Sequence, residues 1–141
     1  MASDIILGPD VYVNASVALG SPPEHVVRRV IGPGKKTGTT QWILARIEGM
    51  LSNLDAFKPE AVEAQMKTIR QFVTIADESE EHGADAWIEA LVGAAKACGV
   101  TRVVTDHPDL ADKEEVDGIE FLSSDAWLVE QTTPPPPPPP G

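Results

Sequence analysis

A chain of 141 residues with an ordinary apolar fraction suits one domain with a modest core. Its 22 acids outweigh 11 bases, a formal net charge of -11, and its one cysteine, Cys98, cannot form an internal disulfide. An acidic surface repels phosphate backbones, so nucleic-acid binding is not expected.

The charge is unevenly placed. From Asp77 onward there are 15 acids and three bases; before it there are seven acids and eight bases. No run approaches the roughly 20 apolar residues of a membrane span, so no membrane insertion is expected. "MASDIILGPD" carries no basic segment and no long apolar run, so a secretory signal is not expected. These features together give the expectation of a cytoplasmic protein.

Ile5 to Leu7 read as a buried strand. Pro9 cannot donate to a ladder, so that strand ends near Leu7, and the apolar chain resumes through Val11, Tyr12 and Val13. "SPPEHVVRRVIG" reads as a short helix with Ser21 as N-cap, Pro22 in the first turn, Glu24 three residues after the cap and Gly32 as its stop. "GPGKKTGTT" reads as a loop or turn.

Trp42, Ala45, Ile47, Met50, Leu51 and Leu54 give a helical stripe. Pro59 opens a second helix, with Val62, Met66, Ile69 and Val73 at spacings of three and four. "FVTIAD" fits either the last turn of that helix or a short strand. "GADAWIEALVGAAKACG" is a small-residue helix, for which Asp85 is a candidate N-cap. "TRVVT" and "GIEFL" are strands, and "SSDAWLVE" is a capped short helix. This order predicts a three-layer α/β domain over residues 1–131 with a small central parallel sheet.

Residues 132–141 form a separate tail, expected to be disordered. Pro134, Pro135, Pro136, Pro137, Pro138, Pro139 and Pro140 can neither form a helix nor pair in a sheet. Seven prolines hold a polyproline II rod of about 22 Å at about 3.1 Å per residue. Such a rod loses little entropy on docking into an aromatic groove of the GYF, SH3 or WW kind, and a plain spacer is the alternative.

In open parallel sheets, sites gather at the carboxyl ends of strands. Asp10 follows the first strand; Asp106, His107 and Asp109 follow a later one in "VVTDHPDL". Carboxylates grouped there are what a hard dication such as Mg²⁺ or Mn²⁺ needs, since it prefers oxygen donors. His107 is a candidate ligand for a softer metal, a candidate general base, or an ordinary loop residue.

The motifs "LGPDVYVNA", "VTDHPDL" and "GIEFLSSDAWL", in that order and spacing, resemble those of the PIN domain family. Its members are small α/β ribonucleases, common as toxins of bacterial toxin–antitoxin pairs. The resemblance spans nearly everything before the prolines and implies a PIN-like fold. It also implies a degenerate site. The family's first metal-binding aspartate falls at Gly8, its helical glutamate at Arg46 with Glu48 two residues on, and the aspartate of its later strand motif at His107. Its helix-start aspartate falls at Asp85.

A guanidinium at Arg46, paired with Asp10 or Asp85, would stand in for the ion. The expected function is therefore a non-catalytic adaptor without a metal cofactor. It would recruit a proline-recognising partner through the tail and contact another protein, or a second copy of itself, through the domain. The alternative is a divergent ribonuclease using Mg²⁺ or Mn²⁺ on Asp10, Asp85, Asp106 and Asp109, with an antitoxin as partner.

Overall fold

The structure is a computed structural model describing residues 5–31, 37–77, 82–83, 85–111 and 115–132. The tail prolines, Lys35–Lys36 and Gly32 lie outside these residues. Helices pack against two small parallel sheets, as in a layered α/β/α domain. The first sheet has the order β1 (Ile5–Leu7), β4 (Arg102–Val104), β5 (Glu120–Leu122). The second pairs β2 (Thr37–Thr39) with β3 (Val73–Ile75). The sheets meet where the Thr37 hydroxyl donates to the Ile5 carbonyl at 2.7 Å.

Two sequence expectations change here. The end of the "GPGKKTGTT" stretch is strand β2, not loop. "FVTIAD" resolves as strand β3, because β2 supplies its ladder from Thr37 opposite Val73 to Thr39 opposite Ile75. Thr-Gly-Thr has no apolar pattern to announce a strand. What places it is a close approach: a Cβ on Gly38 would stand 2.6 Å from the Cys98 sulfur.

The apolar run after β1 is helix α1 (Pro9–Val17), with Pro9 at the first turn, where its missing N–H has no helical partner to lose. The turn after it leads to α2 (Pro22–Val30), and Ser21 is its N-cap residue. The Ser21 hydroxyl donates back to the Ala18 carbonyl instead of accepting from the helix. Glu24 accepts from the Gly20 amide and pairs with Arg28. Helix α3 (Gln41–Ser52) has a working cap, since the Thr40 hydroxyl accepts from the Ile43 amide. Helix α4 (Pro59–Gln71) buries Val62, Met66 and Ile69, the stripe its spacing announces.

Helix α5 (Trp87–Cys98) turns Ala90, Leu91, Ala94 and Ala95 inward onto β1, β2 and β4. Three small side chains on that face let the helix sit close to the strands. Gly99, at a φ of 72° that only glycine adopts without strain, ends it. The short α6 (Pro108–Ala111) follows β4, and α7 (Ser124–Thr132) follows β5. Among the described residues no helix is long and apolar enough to cross a membrane.

The core draws on every helix and on β1, β3, β4 and β5. Ile5, Ile6, Leu7, Ile43, Leu44, Ile47, Leu51, Leu91 and Val103 are its largest fully buried aliphatic side chains on the strands and on α3 and α5. At the amino end of the strands, Arg102 on β4 reaches Glu130 on α7 at 2.6 Å and Glu120 on β5 at 3.6 Å. The hydrogen bond from Arg102 holds the Glu130 carboxyl below its ordinary range.

Two glycines respond oppositely to a methyl group. Gly38→Ala drives a Cβ into Cys98 and is expected to destabilise by about 1–3 kcal/mol through overpacking. Gly49→Ala lies inside α3 with nothing within 4 Å of the new Cβ and is expected to stabilise by about 0.5–1 kcal/mol. Urea unfolding of both variants checks the pair.

Candidate functional site at the carboxyl ends of the strands

Parallel pairing brings the ends of β1, β4 and β5 to one edge. The Gly8 amide donates to Val104 and the Thr105 amide to Leu122, both at 2.8 Å. Directly beyond them stand Asp10, Thr105, Asp106, His107 and Ser124.

Asp10 is the second residue of α1 and is buried, 7% exposed. Its Oδ1 accepts from the Thr105 hydroxyl and its Oδ2 from the Asp106 amide, both at 2.7 Å. Burial pushes the Asp10 carboxyl above 3.8, and the neighbouring Asp106 charge adds to this; the hydrogen bonds from Thr105 and Asp106 pull the other way without cancelling it. The helix N-terminus also favours the anion. The result is a buried carboxylate with an acceptor bond on each oxygen.

Asp106 continues the chain. Its Oδ1 accepts from the Ser124 amide at 2.7 Å and its Oδ2 from the Ser124 hydroxyl at 2.6 Å. It thus satisfies a free donor at the start of α7, while the Ser123 hydroxyl accepts from Ala126. Thr105 turns its oxygen to the His107 amide at 3.2 Å. His107 Nδ1 accepts from the Asp109 amide at 3.2 Å, which makes His107 the cap of α6. Its ring lies 4.7 Å from that of Trp87, which meets Trp42 edge-on at 5.7 Å. Trp42 in turn donates to the Gly83 carbonyl at 3.0 Å.

The structure therefore brings Asp10, Asp106 and His107 into one bonded network and leaves Asp85 and Asp109 exposed beside it. Asp85 does not cap α5 as the sequence suggests. Ala86 holds the N-cap position of α5 without a side-chain bond, and Asp109 already lies inside α6, with His107 capping it. The expected pairing of Arg46 with Asp10 or Asp85 is not formed. Both Asp10 oxygens accept from protein donors, and the buried Arg46 Nε has no hydrogen-bond partner among the described residues.

Gly8 explains the arrangement. A Cβ there would stand 2.8 Å from Asp10 Oδ1 and 3.1 Å from Thr105. The Asp10 carboxylate occupies the space that a side chain at residue 8 would need. Among the described residues, no three His, Cys, Asp or Glu side chains form a group that could hold a metal ion. All four oxygens of Asp10 and Asp106 accept a bond from a protein donor, which turns them toward Thr105, the Asp106 amide and Ser124. Thr105 and Ser124, which complete the network, carry no sequence signal beyond being polar residues next to buried strands. No family model matches the chain, and no curated protein matches it in sequence.

Two variants probe the network. A carboxyl raised above 3.8 in the folded state contributes stability that is full below 3.8 and is lost as pH rises through its folded value. Asn in place of Asp10 keeps an acceptor for Asp106 and removes the charge. Denaturant unfolding of Asp10→Asn and wild type across pH 4 to 8 is expected to show the variant gaining on wild type as pH rises. Asp106→Ala removes the α7 contact and is expected to cost about 0.5–2 kcal/mol.

Proposed function

We propose that this chain is a PIN-like domain whose strand-end acids serve structure, and that it works as a non-catalytic interaction module. The observation that carries the reading is that all four oxygens of Asp10 and Asp106 accept from Thr105, the Asp106 amide and Ser124. An ion there would share these oxygens with those donors, which already hold the carboxylates toward the protein. The PIN-like assignment draws support from the parallel strands and from acids at their carboxyl ends.

The proline run Pro134–Pro140 follows the last helix by one residue and supplies the recruiting element. Its chemistry favours the extended rod that aromatic grooves bind, so the partner is a domain of the GYF, SH3 or WW kind. The domain holds the rod and offers its own surface to a further protein.

Calorimetry with Mn²⁺ is expected to show no saturable sub-millimolar binding. Binding that is lost in Asp10→Asn, together with Mg²⁺-dependent RNA cleavage, would favour the ribonuclease reading instead. Immobilised WW, SH3 and GYF domains are expected to retain the full chain and not a chain ending at Thr133. Equal retention of both discards the recruiting role of the prolines.

A further inference from the structure

A cleft runs along one flank of α5. Ala90, Leu91, Val92, Ala94 and Ala95 are buried, and the exposed side of the helix carries Glu89 and Lys96. Half-buried Ile88 and Gly93, the edge of buried Val92 and exposed Ala97 line the cleft. Val116, from the turn closed by its bridge to Ile119, faces them across a cleft of about 710 Å³. His82 closes one wall, its Nε2 3.3 Å from where a Cβ on Gly93 would stand. Gly93 lies mid-helix, where glycine costs about 1 kcal/mol against alanine; the bare position admits the imidazole.

The charged groups lining this cleft have one dominant sign. Asp77, Glu89 and Asp117 line it and are exposed, against Lys96 and the His82 ring. None of the three carboxylates is in an ion pair among the described residues. Among the described residues, a cation arriving there has no internal partner to displace.

We infer that this cleft is a docking groove for a basic amphipathic helix of a partner protein. Apolar side chains one turn apart would seat between Ile88, Val92 and Val116, with Lys or Arg against Asp77, Glu89 and Asp117. The charge argues against other occupants from this chain. A second copy carries a net charge of -11 and meets long-range repulsion. The proline tail has no cation to set against the acids. The groove uses neither the tail nor the strand-end network, so its failure leaves the reading above untouched, and the reverse holds.

The test uses ¹⁵N-labelled full chain titrated with a short amphipathic Leu/Lys peptide. A Leu/Glu peptide of the same pattern and a scrambled Leu/Lys peptide serve as controls. Expected are amide shifts centred on residues 88–97 and 116–117 with the patterned Leu/Lys peptide, and weaker binding of both controls. The double variant Glu89→Gln, Asp117→Asn is expected to weaken the dissociation constant about tenfold. Both positions are exposed, and Asn tolerates the φ of 50° at residue 117, so the fold is kept. Shifts centred elsewhere, equal binding of either control, or an unchanged constant in the double variant overturns the proposal. So does sedimentation showing self-association that moves the same amides, which would make a second copy the occupant.

Discussion

The carboxyl end of the sheet depends on one buried carboxylate. Asp10 stands at the start of α1 and binds two consecutive residues beyond β4. Burial disfavours its charge; the Thr105 hydroxyl, the Asp106 amide and the helix N-terminus counter part of that, and Gly8 leaves the carboxylate its room. Everything downstream takes its direction from this contact. With its amide held by Asp10, Asp106 points its own carboxylate at the start of α7. With its hydroxyl donated to Asp10, Thr105 has an oxygen lone pair for the His107 amide. His107 then caps α6 and lies against Trp87.

The two ends of the sheet are secured by different physics. At the amino end, Arg102 joins β4 to β5 and α7 through partly exposed ion pairs, which water and salt weaken. At the carboxyl end, the bonds are short, shielded and consecutive. Helix α7 is tied at both ends, to Asp106 at its first residue and to Arg102 near its last turn. A set of acids that would suit a metal if free is here a set of backbone and hydroxyl acceptors. A larger side chain at residue 8 would instead crowd the Asp10 carboxylate and Thr105.

Much of the fold is legible because its signals are local. Ile-Ile-Leu and Arg-Val-Val declare strands by composition; Val62, Met66 and Ile69 mark the buried stripe of α4 by their spacing. β2 is not legible, because Thr37 to Thr39 become a strand only through their ladder with β3, a bond to Ile5 and a tight contact with Cys98. β3 was ambiguous for the same reason, since a three-residue strand is defined by its neighbour. Asp85 looks like a cap in one dimension, yet the helix begins one residue later than that role requires.

Composition, periodicity and punctuation determined by themselves that this is an acidic α/β chain with parallel strands, and that Asp10, Asp106 and His107 lie beyond strand ends. They also placed seven prolines after the last helix. Only the tertiary structure decided what those acids bind. A carboxylate is chemically ready for a metal, an arginine or an amide, and the choice among them depends on which donors lie within 3 Å. Here these are Thr105, the Asp106 amide and Ser124, while Arg46 does not reach. Residue type specifies what a group can accept, and packing specifies what is close enough to give it.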